Sequence, residues 1–251
     1  MVFVRSGVAA EAISILGDSC TAPLAKKLGD AFTKKTGTVV NVEAAACAAG
    51  IYKASNGLVD IGVSTHEVVL SYLPDGTVNT VIAKAPTVVL VHKNNPVNDL
   101  KLQQLKDILA GKIRNWKEVG GNDLEIKNVL LQPCTTTIFS KTSAPFGKGI
   151  KRLTPDKPMN PVAGTNKMVE SDEGAMGLQI YGYESADVKV LTIDGYLPNE
   201  KTFPANYKFY QDYNVVTKTN ADDDTKAFVD FAMSPEGQEI VASLKHIRVK
   251  K

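Results

Sequence analysis

A chain of 251 residues is long enough for one large domain or two of moderate size, each with a real core. Hydrophobic residues make up 43% and charged residues 22%, an ordinary globular balance, and 29 Lys and Arg against 27 Asp and Glu leave a formal charge of +2. That near-neutrality gives no electrostatic reason to expect nucleic acid as a partner, and the longest apolar runs, such as 87–91, are far too short to span a membrane.

Strand and helix patterns alternate along the chain, which predicts an α/β fold with a mainly parallel sheet. Residues 12–16 read as the first strand. Over 21–37 a helix is expected, with Leu24, Leu28 and Phe32 at i, i+4 and i+8 and Gly37 as a natural residue just past its end. A second strand at 38–42, a short helix at 48–56 closed by Gly57, and a third strand at 58–63 follow. Residues 80–83 and 87–92 are strand-like and interrupted by Pro86, because proline offers no N–H to a ladder. A helix over 101–110 ends at Gly111, with Asp99 as a candidate cap. Strands are expected at 126–131, 174–181 and 188–193, and closing helices at 224–233 and 235–244, the second opened by Pro235. The opening run MVFVRSGVAAEAISILG does not read as a signal peptide, since Arg5, Ser6 and Glu11 break its apolar segments. No internal repeat or low-complexity stretch is present.

The three cysteines share one setting. Cys20 follows ISILGDS, Cys47 lies in AAACAAG, and Cys134 lies in LLQPCTTTIFS; each falls at a strand-to-helix turn. Backbone N–H groups are unclaimed at such turns and the helix dipole favours negative charge. An odd count leaves at least one cysteine unpaired in an oxidising compartment.

Several segments in order resemble the type II periplasmic solute-binding proteins, in the phosphate-binding-like branch that serves ABC importers. GDSCTAPLAKKLGDAFTKKTG resembles that family's first loop and helix, and AAACAAGIYKASNGLVDIGVSTHEV its second loop with the strand after it. LKLQQLKDILAGKIRNWKEVGG, LLQPCTTTIF, EGAMGLQIYGY and FVDFAMSPEGQEIV continue the likeness to the C-terminal helices. The resemblance implies two α/β lobes, the first from 1–85 plus 205–251 and the second from 86–204, with a small inorganic ligand held between them at helix N-termini. It further implies a monomer in the periplasm or outside the cell, working with ABC transporter membrane subunits or a sensor, and no enzymatic activity.

The departures from that family shape the site expectation. Cys20 stands at a hydroxyl position of the first loop beside Ser19, Cys47 at the serine of the second, and Cys134 at a glycine of the third, where Thr135 and Thr137 remain. Ile138 occupies the place of the arginine that would clamp an anion with two hydrogen bonds, and His66 occupies another arginine position. Ala44, Ala45, Ala46 and Ala48 replace glycines of the second loop. Three thiolates with one imidazole form a soft-metal set. The leading expectation is therefore a receptor for a thiophilic cargo, a metal ion, arsenite or an iron–sulfur-type cluster, held by Cys20, Cys47 and Cys134 with His66 as fourth ligand or supporting donor. A phosphate-like oxyanion receptor and a cysteine-dependent sulfur-transfer enzyme with His66 as base are the alternatives. Cysteines that are merely small buried residues, or two of them joined as a disulfide, also fit the pattern. Asp18 is the nearest carboxylate to orient His66, and it could instead cap the helix; His92 and His246 read as structural.

Overall fold

In the computed structural model of the chain, residues 12–45, 48–129, 151–157 and 159–250 are described. Along the first third run β1 (Ile13–Gly17), α1 (Ala22–Thr36), β2 (Val40–Ala44), α2 (Ala49–Ser55), β3 (Ile61–Ser64) and the long β4 (Thr77–His92). The middle holds β5 (Asp99–Leu100), α3 (Leu102–Leu109), β6 (Lys127–Val129), β7 (Lys151–Leu153), α4 (Pro161–Glu170), β8 (Ala175–Ile180) and β9 (Val188–Ile193). The chain closes with β10 (Tyr210–Lys218), α5 (Asp223–Met233), α6 (Pro235–Ser243) and β11 (Ile247–Arg248).

These elements form two compact units. Unit 1 comprises Met1–Ile82, Tyr213–Val241 and Val249–Lys251; unit 2 comprises Ala83–Asp212 and Ala242–Arg248. Both β4 and β10 therefore change unit within a single strand.

In unit 1, β2, β1 and β3 lie parallel in that order and β10 pairs antiparallel with β3. The amphipathic pattern of α1 buries Leu24, Leu28 and Phe32, with Lys34 and Lys35 in the last turn where they favour the helix dipole. Gly37 ends the helix at φ 84°, its N–H donating to Thr33 O at 2.9 Å. Phe32 then meets Phe228 edge-on at 5.5 Å and Phe231 at 5.6 Å, fastening α1 to α5. The start of α2 packs directly on the sheet: a Cβ at Gly50 would lie 2.3 Å from Leu16 O, and one at Gly62 would lie 2.1 Å from Gly50 O. Only glycine lets this helix N-terminus rest on the ends of β1 and β3.

In unit 2, β4 runs antiparallel between β8 and β9, and β6 continues from β8 in parallel, followed by β7. Val88, Val89, Leu90 and Val91 are fully buried there, and Trp116 anchors the same core through Nε1, which donates to Gly174 O at 3.0 Å. The C-terminal segment returns to this unit: β11 pairs with β4, Arg248 holds Glu200 with two hydrogen bonds, and Lys245 pairs with Glu184. His246 is 2% exposed, packs on the Tyr183 ring at 5.6 Å, and turns Nδ1 to Leu244 O at 2.8 Å. Burial pushes its pKa down to about 4.

Three expectations need correction. The sheet is mixed rather than mainly parallel, because β4 and β10 pair antiparallel with their neighbours. Pro86 does not interrupt β4: its missing N–H is unneeded at that position, and its carbonyl accepts from Tyr181 N at 2.8 Å. Asp99 does not cap α3; its carboxylate accepts from Thr192 Oγ1 and Gly195 N, both at 2.7 Å, while Gln104 reaches back to Lys101 N at 2.8 Å. The segment 161–170, not read from the sequence as a helix, is α4, capped by Asn160, whose Oδ1 accepts from Val162 N at 3.0 Å and Ala163 N at 3.3 Å.

Candidate functional site

The carboxyl ends of parallel strands are where open α/β sheets place their ligands. In unit 1 the parallel neighbours β1 and β3 end at the same side of the sheet, and the turn after β1 is held to β3 by Thr21 Oγ1 donating to Val63 O at 3.4 Å. The N-terminus of α1 opens from the first turn, and α2 starts over the ends of β1 and β3. Ala45 N donates to Gly17 O at 2.6 Å and draws the chain after β2 to the same end.

The buried side chains here are polar. Asp18 is 2% exposed, and its Oδ1 accepts from Cys20 N at 2.9 Å, Thr21 N at 3.0 Å and Thr21 Oγ1 at 3.1 Å. A carboxylate that accepts backbone N–H groups at a helix start neutralises much of that end's positive potential. Ser19 is half-buried and Cys20 buried. In the second turn His66 is half-buried; its N–H donates to Ser64 Oγ at 3.1 Å and its carbonyl accepts from Asn214 Nδ2 at 2.9 Å. Between them Thr65 is 7% exposed, and its Oγ1 has no hydrogen-bond partner among the described residues. A buried hydroxyl left this way is an available donor or acceptor for a ligand.

Ser19, Cys20 and His66 thus fall at the same end of unit 1, on the turns that follow the neighbouring parallel strands β1 and β3. Cys47, Cys134, Thr135 and Thr137 lie outside the described residues, as does Ile138. Asp18 closes the turn that precedes α1, accepting from Cys20 N and Thr21 N, while the N-cap position itself is Thr21. Thr65 and Asn214 were not singled out from the sequence. The signal for Asn214 was present: an asparagine amid TyrAsnValVal is a polar residue inside an apolar strand run, and such a residue needs buried partners.

Residues 5–236 match the family described as PBP superfamily domain, and the chain belongs to that family. Its relatives include the phosphate-binding protein PstS of Bacillus subtilis (strain 168), 27% identical over 245 residues that span 94% of this chain and 79% of that protein. A solved structure from Clostridium perfringens, described as a phosphate ABC transporter substrate-binding protein with bound phosphate, matches at a TM-score of 0.83 and 28% identity over 96% of this chain and 100% of the other. An ABC-type phosphate transport receptor from Vibrio cholerae shares the fold at a TM-score of 0.73 and 21% identity, covering 95% of this chain and 100% of that one.

These relatives overturn the expectation of a thiophilic metal, arsenite or iron–sulfur cargo held by Cys20, Cys47, Cys134 and His66, since they are named for phosphate. Among the described residues no group of three or more His, Cys, Asp or Glu is placed to hold a metal ion. The physical reason is visible at Cys20. The N–H groups that would favour a thiolate there already serve the Asp18 carboxylate, so a thiolate would face a neighbouring negative charge. No helix among the described residues is long and apolar enough to cross a membrane.

Proposed function

We propose that this chain is the phosphate-binding receptor of an ABC importer, acting outside the cytoplasmic membrane as a monomer and handing its anion to the importer's membrane subunits without catalysing a reaction. The observation that carries this reading is the likeness, over nearly the whole of both chains, to a substrate-binding protein with phosphate bound. The chemistry of the unit 1 turns is compatible with it. The hydroxyls of Ser19 and Thr65 and the small side chains at these turns give an oxyanion hydrogen-bond partners without requiring a bidentate arginine. Thr135 and Thr137 would add hydroxyls from the third loop. Cys20, Cys47 and Cys134 would serve as small residues on ligand loops.

Calorimetry of the reduced protein against phosphate and sulfate tests the reading. Phosphate should bind, and should still bind when Cys20, Cys47 and Cys134 are all replaced by Ser. Absence of phosphate binding to the unaltered chain, at concentrations well above those of a working importer receptor, would overturn it.

A further inference from the structure

β10 enters unit 1 at Tyr213, and its first two residues there both end on the turns assigned to the anion. Tyr213 is fully buried and its hydroxyl donates to the carbonyl of Thr21, the residue that opens α1. Asn214 is 3% exposed and sits opposite Ser64 in the antiparallel register. Its Nδ2 donates to His66 O at 2.9 Å and to Ser64 O at 3.2 Å, and its Oδ1 accepts from Asn79 Nδ2 at 2.9 Å. Successive residues of a strand face opposite sides, so one strand reaches the 17–21 turn from one face and the 64–66 turn from the other.

The direction of this network is forced. Backbone carbonyls only accept, so the Asn214 group facing Ser64 and His66 must be its NH₂, and its oxygen must face Asn79. Asn79 then has to offer its own NH₂, which leaves Asn79 Oδ1 buried without a hydrogen-bond partner among the described residues. A buried acceptor left unmet is unfavourable, and it is tolerated here in exchange for the orientation of Asn214. Both carbonyls flanking Thr65 are held by Asn214, and His66 N is held by Ser64 Oγ. The hydroxyl in the middle of that fixed turn is the one without a partner among the described residues.

Building on the phosphate reading, we infer that Asn214 is a positioning residue for the anion: it locks the Ser64–His66 turn so that the Thr65 hydroxyl is presented to phosphate. Asn79 orients the Asn214 amide, and Tyr213 fixes the neighbouring turn at Thr21. None of the three touches the ligand.

The test is a double-mutant cycle on phosphate affinity, read by calorimetry at a temperature where circular dichroism shows every variant folded. Thr65→Val and Asn214→Ala should each weaken binding by about 10-fold, the effect of one buried hydrogen bond to an anion. In the double variant the loss should stay near that of Thr65→Val alone, because Asn214 acts through Thr65. A purely structural asparagine would give losses that multiply, or a lower unfolding midpoint with affinity intact; either result overturns the inference. Should Asn214→Ala fail to fold, Asn79→Ala removes the orienting donor while leaving Asn214 in place. It should weaken binding several-fold, again only when Thr65 is present. If the unaltered chain binds phosphate and the variants bind equally well, the positioning role fails alone; if the unaltered chain binds no phosphate, the functional reading fails and takes this inference with it.

Discussion

In unit 2, Val88, Val89, Leu90 and Val91 of β4 lie fully buried between β8 and β9, and their contribution is volume and apolar area. At the ends of β1 and β3 in unit 1, the buried side chains are instead Asp18, Thr21, Ser64, Thr65 and Asn214, most of them tied by directed hydrogen bonds. An apolar interior tolerates exchange as long as its volume is kept. A polar network has a fixed direction, and one wrong group leaves another unmet. Damage to the first interior should therefore appear as lost stability alone, and damage to the second as changed affinity.

The sharpest separation should come from Leu90→Ala. Deleting this fully buried side chain should lower unfolding free energy by about 2–5 kcal/mol in urea titration, while the folded protein keeps its phosphate affinity. A matching fall in affinity would break the comparison. His246 carries the next effect. Its folded pKa of about 4 lies below the ordinary 6.5, so the unfolded chain binds more protons between those values. Stability is thus full above pH 6.5 and falls as pH drops toward 4, by about 3 kcal/mol from a difference of about 2.5 units. Urea midpoints measured from pH 7 to pH 4 should show this slope, and His246→Gln should flatten it.

A smaller change is expected for Asp18→Asn, which keeps an acceptor for Cys20 N and Thr21 N but removes the charge. Stability should fall by about 1 kcal/mol as charge-assisted bonds become neutral ones. Phosphate affinity should rise, because a negative neighbour is gone; a weakened affinity would show that the carboxylate itself helps hold the anion. The least effect belongs to Lys26→Ala on the outer face of α1. Its exposed pair with Asp30 at 3.1 Å should be worth no more than about 0.5 kcal/mol, with affinity untouched.

Much of the fold was legible because it rests on local pattern. The Leu24, Leu28 and Phe32 spacing located α1, Gly37 located its end, and the apolar run at 188–193 is β9. Where tertiary context decided, the pattern misled. α4 buries Gly164, Thr165 and Asn166 with Val169, an inner face with too few apolar residues to show a period, although Asn160 before Pro161 was a usable start signal. Pro86 looked like a break because a sequence does not show which carbonyls a neighbouring strand will use. At the site, the turns holding Cys20 and His66 were singled out through family likeness, and the thiophilic cargo assigned to them is overturned by the relatives named for phosphate. The bonds from Cys20 N and Thr21 N to the Asp18 carboxylate were not legible, because the direction of that side chain is set only once the turn has folded.

The way the chain weaves through its two units sets an order on its own synthesis. The Thr21 carbonyl awaits a hydroxyl 192 positions further on, and the carbonyls of Ser64 and His66 await an amide 150 and 148 positions later. A ribosome therefore finishes the whole intervening stretch of unit 2 before the tethers of the earlier turns exist. Any product that stops short of Tyr213 carries the 17–21 and 64–66 turns without the strand that fixes them. On the proposed phosphate reading, a nascent or truncated chain would be a poor scavenger of the anion, and competence would arrive only with the final 39 residues, from Tyr213 onward.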